Sequence, residues 1–172
     1  VRELSPLLTA LIVIARSGTA VASEIGSMRA NKEIEALETM GINPLSYIVF
    51  PRLLGGIISV LCLGFYFNVV ALLGGYFVSR LVHDMPFIYY IDALAAAMSA
   101  EDLLLFLFKN ISSGAIIFIV CSYQGLLVKQ SSHEVPQVTT KAVVNSIIYV
   151  VGFHLIVTLL FYLRQLTKYG VL

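Results

Sequence analysis

Charge is scarce in this chain: Asp, Glu, Lys and Arg make up 12% of its 172 residues, about half the share of a soluble domain. With 59% apolar residues and a mean hydropathy of +0.92, too little polar surface remains to coat a water-facing globule, so the chain reads as an integral membrane protein. A strong net charge is also missing. The formal value of +1 supplies no basic field with which to displace counterions from phosphates, which excludes nucleic acid as a partner. Cysteine is rare, and Cys62 and Cys121 both lie in apolar runs without a CxxC pair or metal-ligand spacing. They read as small apolar fillers, and no metal or cofactor is expected. None of the twelve glycines belongs to a GxxxxGK(S/T) loop, so the chain does not bind ATP by a P-loop. His83, His133 and His154 are scattered, with no HExxH and no G-x-S-x-G elbow, and nothing points to an enzyme. The chain begins at Val1 without a basic n-region and cleavage site, so it reads as part of a longer protein.

What is present in quantity is long apolar sequence. A hydrocarbon core about 30 Å thick needs roughly 20 helical residues at about 1.5 Å each. Four segments qualify: Leu4 to Ser23, Leu53 to Ser79, Leu103 to Val128, and Ala142 to Leu163. They are apolar all round, without the alternation of a membrane barrel strand. The expected fold class is therefore all-α, a polytopic membrane protein with about four spans.

Between the first two spans the character changes. Ser27 to Met40 reads SMRANKEIEALETM and is followed by Gly41 and Pro44. Met28, Ile34, Leu37 and Met40 share one broad face, and Arg29, Lys32, Glu33, Glu35 and Glu38 occupy the rest. Arg29 and Glu33 stand four apart, close enough to pair on one helix. Gly41 suits the left-handed position after a helix end, and Pro44 prevents continuation. The segment is predicted to be a short amphipathic helix at a membrane surface, able to receive force from a soluble partner. Further on, the YYIDALAAAMSA stretch predicts a short interfacial helix, and Lys129 to Lys141 reads as a polar connection. Lys and Arg number five on the side of the amphipathic helix (Arg29, Lys32, Arg52, Lys129, Lys141) and four on the other (Arg2, Arg80, Arg164, Lys168), a slight bias toward placing that helix in the cytoplasm.

Polarity within the spans marks the candidate site. Arg16 lies near the middle of the first, at an expected cost of about 2.5–3.5 kcal/mol for a central Arg. An interhelix salt bridge or an anionic ligand would offset it. Glu24 is two turns on, about 12 Å along the axis, too far to pair with Arg16 in one straight helix. Gly18, Ala22 and Gly26 form a small-residue ridge suited to close helix packing. Lys109, near a span end, is expected to snorkel, and His154 to hydrogen-bond across helices as a neutral group.

Three ordered strings carry a resemblance. The first joins Arg2-Glu3-Leu4-Ser5-Pro6, Ala15-Arg16-Ser17-Gly18 and Ala22 through Arg29. The second is Ile34 through Gly41 with Asn43-Pro44 and Pro51-Arg52. The third is Tyr123-Gln124-Gly125-Leu126 with Thr139 through Val144. Together they resemble the MlaE/YrbE family of ABC-transporter permeases over essentially the whole chain. The resemblance implies a single permease domain over residues 1–172, lacking an interfacial helix and one span found upstream in the family. It implies a homodimer that moves phospholipids or related lipids between membranes. The implied partners are a cytosolic ABC ATPase and an MCE-domain lipid-binding protein, in a bacterial inner membrane. Carried over by position, Arg2, Glu3, Arg16 and Glu24 are the implied lipid-cavity residues. Met28, Arg29, Glu33, Ile34, Glu35, Leu37, Glu38 and Met40 are implied to couple to the ATPase. Two departures stand out: Ser131 to Gln137 reads SSHEVPQ where the family has a glycine-rich acidic loop, and His154 replaces a frequent Asp. A proton- or ion-coupled secondary transporter, with Arg16, Lys109 and His154 as a relay, is the main alternative; an assembly subunit without a cavity is another.

Overall fold

The computed structural model describes residues 3–83, 86–98, 100–129, 131 and 133–168. Four helices are long and apolar enough to cross a membrane. Helix α1 covers Leu4–Ala30 and contains a π-helical turn at Ile14–Gly18. After a break comes α2, Glu33–Thr39. Helix α3 opens with a π-helical turn at Leu45–Val49 and continues over Phe50–His83. A short apolar helix α4, Phe87–Ala97, leads into α5, Ala100–Leu126, and the chain ends in α6, Glu134–Lys168. The four expected spans are present; three reach beyond the apolar run that announced them, while α5 starts earlier than its run and stops at Leu126, short of Val128. Residues 134–141, read from sequence as a connection, are the first turns of α6. Pro136 is tolerated there because first-turn amides have no intrahelical acceptor.

The amphipathic segment is not one helix. Lys32 adopts φ 61, a left-handed conformation that ends α1 and tilts α2 away, so Ser27–Met40 is split at Asn31–Lys32. The expected Arg29–Glu33 pair therefore does not form; Glu33 Oε1 instead accepts a 3.4 Å hydrogen bond from Asn31 Nδ2. The far end matches expectation. Gly41 has φ 76, Ile42 N donates to Leu37 O and Gly41 N to Glu38 O, both at 3.0 Å. These two bonds form a Schellman closure around a residue without a Cβ. Asn43 Oδ1 then accepts from Leu45 N at 3.0 Å and starts α3. The result is a rigid hairpin that hands α1 over to α3.

Helix α5 is the hub, packed on α1, α3 and α6. Its contact with α3 is stepped by small residues. A Cβ on Gly64 would lie 2.7 Å from Asn110 Oδ1, one on Gly114 3.0 Å from Ile57 Cα, and one on Gly56 would run into the Phe118 ring. The small ridge of α1 is a packing surface, as its spacing indicated. Gly18 faces Cys121 and Ile117, the Ala22 carbonyl meets Gly125, and Gly26 faces Val128 and Val135. Most large apolar side chains on the outer faces of α3, α5 and α6 are exposed, as lipid-facing helices require.

Candidate functional site: a charged hairpin and a polar seam

The groups singled out by sequence fall into three zones along the membrane normal. At the end away from the hairpin, Lys109 is buried, with 1% of its side chain exposed. Its Nζ donates to Glu3 Oε2 at 2.7 Å and to Thr158 Oγ1 at 3.0 Å, while Thr158 Oγ1 donates to the same Glu3 oxygen at 2.7 Å. The expected snorkelling does not occur. Lys109 points into the bundle because the carboxylate of Glu3, just before α1, and a hydroxyl from α6 solvate it there. One turn deeper, Ser113 Oγ and His154 Nε2 share a 2.8 Å hydrogen bond, the cross-helix contact foreseen for this histidine. Two further turns on, Cys121 Sγ and Ser146 Oγ stand 3.4 Å apart.

These three contacts define the α5–α6 register, stepping in multiples of four residues on both helices. That register sets Ile117 level with Val150. Both are fully buried, and they interrupt the polar ladder. Lys109 and His154 thus belong to one cluster, joined by Ser113, whose Oγ also donates to the Lys109 carbonyl at 2.6 Å, while Arg16 lies elsewhere, exposed on α1. Among the described residues no hydrogen bond joins Arg16 to Lys109 or His154, so the three do not form a continuous relay.

Arg16 occupies the π-helical turn of α1. Such a turn frees a carbonyl from the regular pattern, and Thr19 Oγ1 covers the Ala15 and Arg16 carbonyls at 2.9 Å each. The guanidinium is carried on the side of α1 turned away from the packed core.

At the hairpin end, Glu24 meets a partner that sequence reasoning missed. Arg52, on the first turn of the α-helical part of α3, forms a two-pronged bridge, with Nη1 to Oε2 at 2.5 Å and Nη2 to Oε1 at 2.6 Å. The available signal was depth: opposite charges at matching distances from the turn on consecutive antiparallel spans. Beyond the bridge, Ile34 is 1% exposed and belongs to the core cluster with Ile25 and Ile48, with Met28 and Leu37 packed against it. Glu33, Glu38 and Met40 are exposed, and Arg29 and Glu35 are half-buried. The eight hairpin positions therefore divide: Met28, Ile34 and Leu37 pack with the core cluster, Glu33, Glu38 and Met40 are presented outward, and Arg29 and Glu35 lie between. A 270 Å³ hollow lined by Arg29, Ile34, Glu38, Asn43, Pro44 and Leu45 opens on this face. Of the four cavity candidates, Glu3 is held in the Lys109 cluster, Glu24 by Arg52, Arg16 is on the open face, and Arg2 lies outside the described residues.

Comparison with known proteins now bears on this architecture. The permease MlaE family model matches residues 1–160. The chain belongs to the MlaE permease family. It is 34% identical to a probable ABC transporter permease protein of Rickettsia felis over 94% of this chain and 62% of the relative. It is 28% identical to the intermembrane phospholipid transport system permease protein MlaE of Haemophilus influenzae, over 91% of this chain and 60% of that protein. The chloroplastic protein trigalactosyldiacylglycerol 1 of Arabidopsis thaliana is 27% identical over 86% of this chain and 42% of its own length. The chain thus spans a little under two thirds of the rickettsial relatives it matches. Membership and the four spans together make it a multi-pass membrane protein.

Proposed function

We propose that this MlaE-family chain is the membrane-spanning part of an ABC permease that moves phospholipids or related lipids between membranes. The observation that carries the reading is the hairpin. A seven-residue helix, α2, is fixed between two spans by buried Ile34 and offers Glu33, Glu38 and Met40 outward. A rigid charged element of that kind suits docking by a cytosolic ATPase, whose nucleotide-driven closure would tilt α1 and α3. The printed name of the Haemophilus relative supports phospholipid as the cargo. In this reading a second copy covers the Arg16 face of α1 and encloses a lipid cavity. Arg16 and Arg2 then offer cations to a lipid phosphate, and an MCE-domain protein receives or delivers the lipid beyond a bacterial inner membrane. The chain itself contributes no hydrolytic chemistry.

Reversing the acidic face tests the docking directly. The triple substitution E33K/E35K/E38K is expected to abolish co-purification of the ATPase, because like charges would replace attraction over the whole contact. The triple variant should still insert and fold, since the anchoring Ile34, Met28 and Leu37 are untouched. Full retention of the ATPase on the triple variant would remove the hairpin from the coupling role.

A further inference from the structure

Helix α1 has 27 residues, about 40 Å, against a hydrocarbon core of about 30 Å. Its last two turns therefore rise out of the apolar layer, and Glu24, six residues before the helix end, stands near the boundary. Arg52 reaches the same level from α3 across the whole hairpin. The bridge is bidentate, with Arg52 39% and Glu24 50% exposed. As a contribution to stability a half-exposed pair is modest. As a geometric constraint it is not, because a planar fork engaging both carboxylate oxygens fixes direction as well as distance. Ile34 holds α2 in place through apolar packing, which is non-directional and fixes distance more firmly than orientation. The fork restrains the two spans at the base of the hairpin, where pivoting would otherwise absorb any push on α2.

We infer that Glu24 and Arg52 are a positioning pair that makes α1, α2 and α3 move as one body, so that a force applied to the hairpin is delivered to the spans. This rests on the ABC-permease reading above and extends it to a pair whose side chains hold each other. The consequence is specific. Breaking the fork should leave the ATPase bound and hydrolysing ATP while less lipid moves per nucleotide consumed.

The test uses the permease complex with its ATPase in vesicles of phosphatidylethanolamine and phosphatidylglycerol carrying a fluorescent phosphatidylglycerol. ATP hydrolysis and label movement are measured in parallel for wild type, E24R, R52E and the swapped pair E24R/R52E. Each single variant is expected to retain the bound ATPase and lose about tenfold in lipid moved per ATP, a typical coupling free energy between sites. The swap, which rebuilds the bridge in reverse, should return to within about twofold of wild type. Single variants that transport normally would overturn the proposal while leaving the permease reading intact. So would a swapped pair that binds ATPase yet stays as uncoupled as the singles. Absence of ATP-dependent label movement in the wild-type complex would instead remove the permease reading, and this proposal with it.

Discussion

Replacing Glu3 by leucine is expected to destabilise the protein by about 3 kcal/mol, at the lower end of the range for breaking a buried ion pair. The cause is the partner left behind. Lys109 is 1% exposed and cannot reach water, so without the Glu3 carboxylate its ammonium keeps only the 3.0 Å contact to Thr158. The reverse change, Lys109→Met, should cost less, because Glu3 is 37% exposed and its carboxylate can hydrate. The double variant E3L/K109M should be more stable than E3L alone, since an apolar pair of similar volume carries no stranded charge. Thermal unfolding of the detergent-solubilised protein checks this ordering. With about 2–4 °C per kcal/mol for a chain of this size, E3L should melt on the order of 10 °C below wild type. Equal losses for both single variants would mean that the cluster is hydrated and the asymmetry absent.

The second large effect is expected at Gly125. A Cβ there would sit 2.9 Å from the Ala22 carbonyl oxygen and 2.9 Å from Ile25 Cβ. The first obstacle is backbone, which can yield only if α1 and α5 separate as rods. Close approach of small residues is the main source of helix affinity within a bilayer, where apolar burial gives no advantage over lipid. Gly125→Leu should therefore cost more than the roughly 1–3 kcal/mol of ordinary overpacking and appear as loss of monodisperse, folded protein. Gly55→Ala and Gly152→Ala provide the control. Nothing lies within 4 Å of the added Cβ at either position, and Ala gains up to about 1 kcal/mol of helix propensity. A Gly125→Leu protein that melts with these controls would contradict the close α1–α5 crossing.

Spans, hairpin end and packing ridge were legible because each follows from a local rule. Bilayer thickness sets the length of an apolar run, Gly41 meets a backbone demand no other residue meets as well, and Gly18, Ala22 and Gly26 share a face by spacing alone. The resemblance string around Arg2–Arg29 and Ile34–Gly41 then brought in the family. What stayed hidden was decided by neighbours distant in sequence. Lys109 has the spacing of a snorkelling lysine; only the arrival of Glu3 at the N-terminal end of α1 and Thr158 from α6 turns it inward. On its own helix Glu24 stands too far from Arg16 to pair, and the group that meets it is Arg52, across the hairpin. The break at Asn31–Lys32 had no marker, because lysine is an uncommon left-handed residue and the helical pattern runs through it. The extension of α6 back to Glu134 was masked by polar side chains that suit a solvated helix as well as a loop.

The central claim is that a soluble ATPase acting on α2 moves lipid through this fold. It is tested most directly by purifying the permease with its ATPase, reconstituting both in vesicles, and following a fluorescent phospholipid with ATP or with an ATPase variant unable to hydrolyse it. Label movement that requires hydrolysis, and that persists when the proton gradient is dissipated, is the predicted result. Movement that ignores ATP and stops when the gradient collapses would contradict the account and return the polar seam of α5 and α6 to the centre of the mechanism.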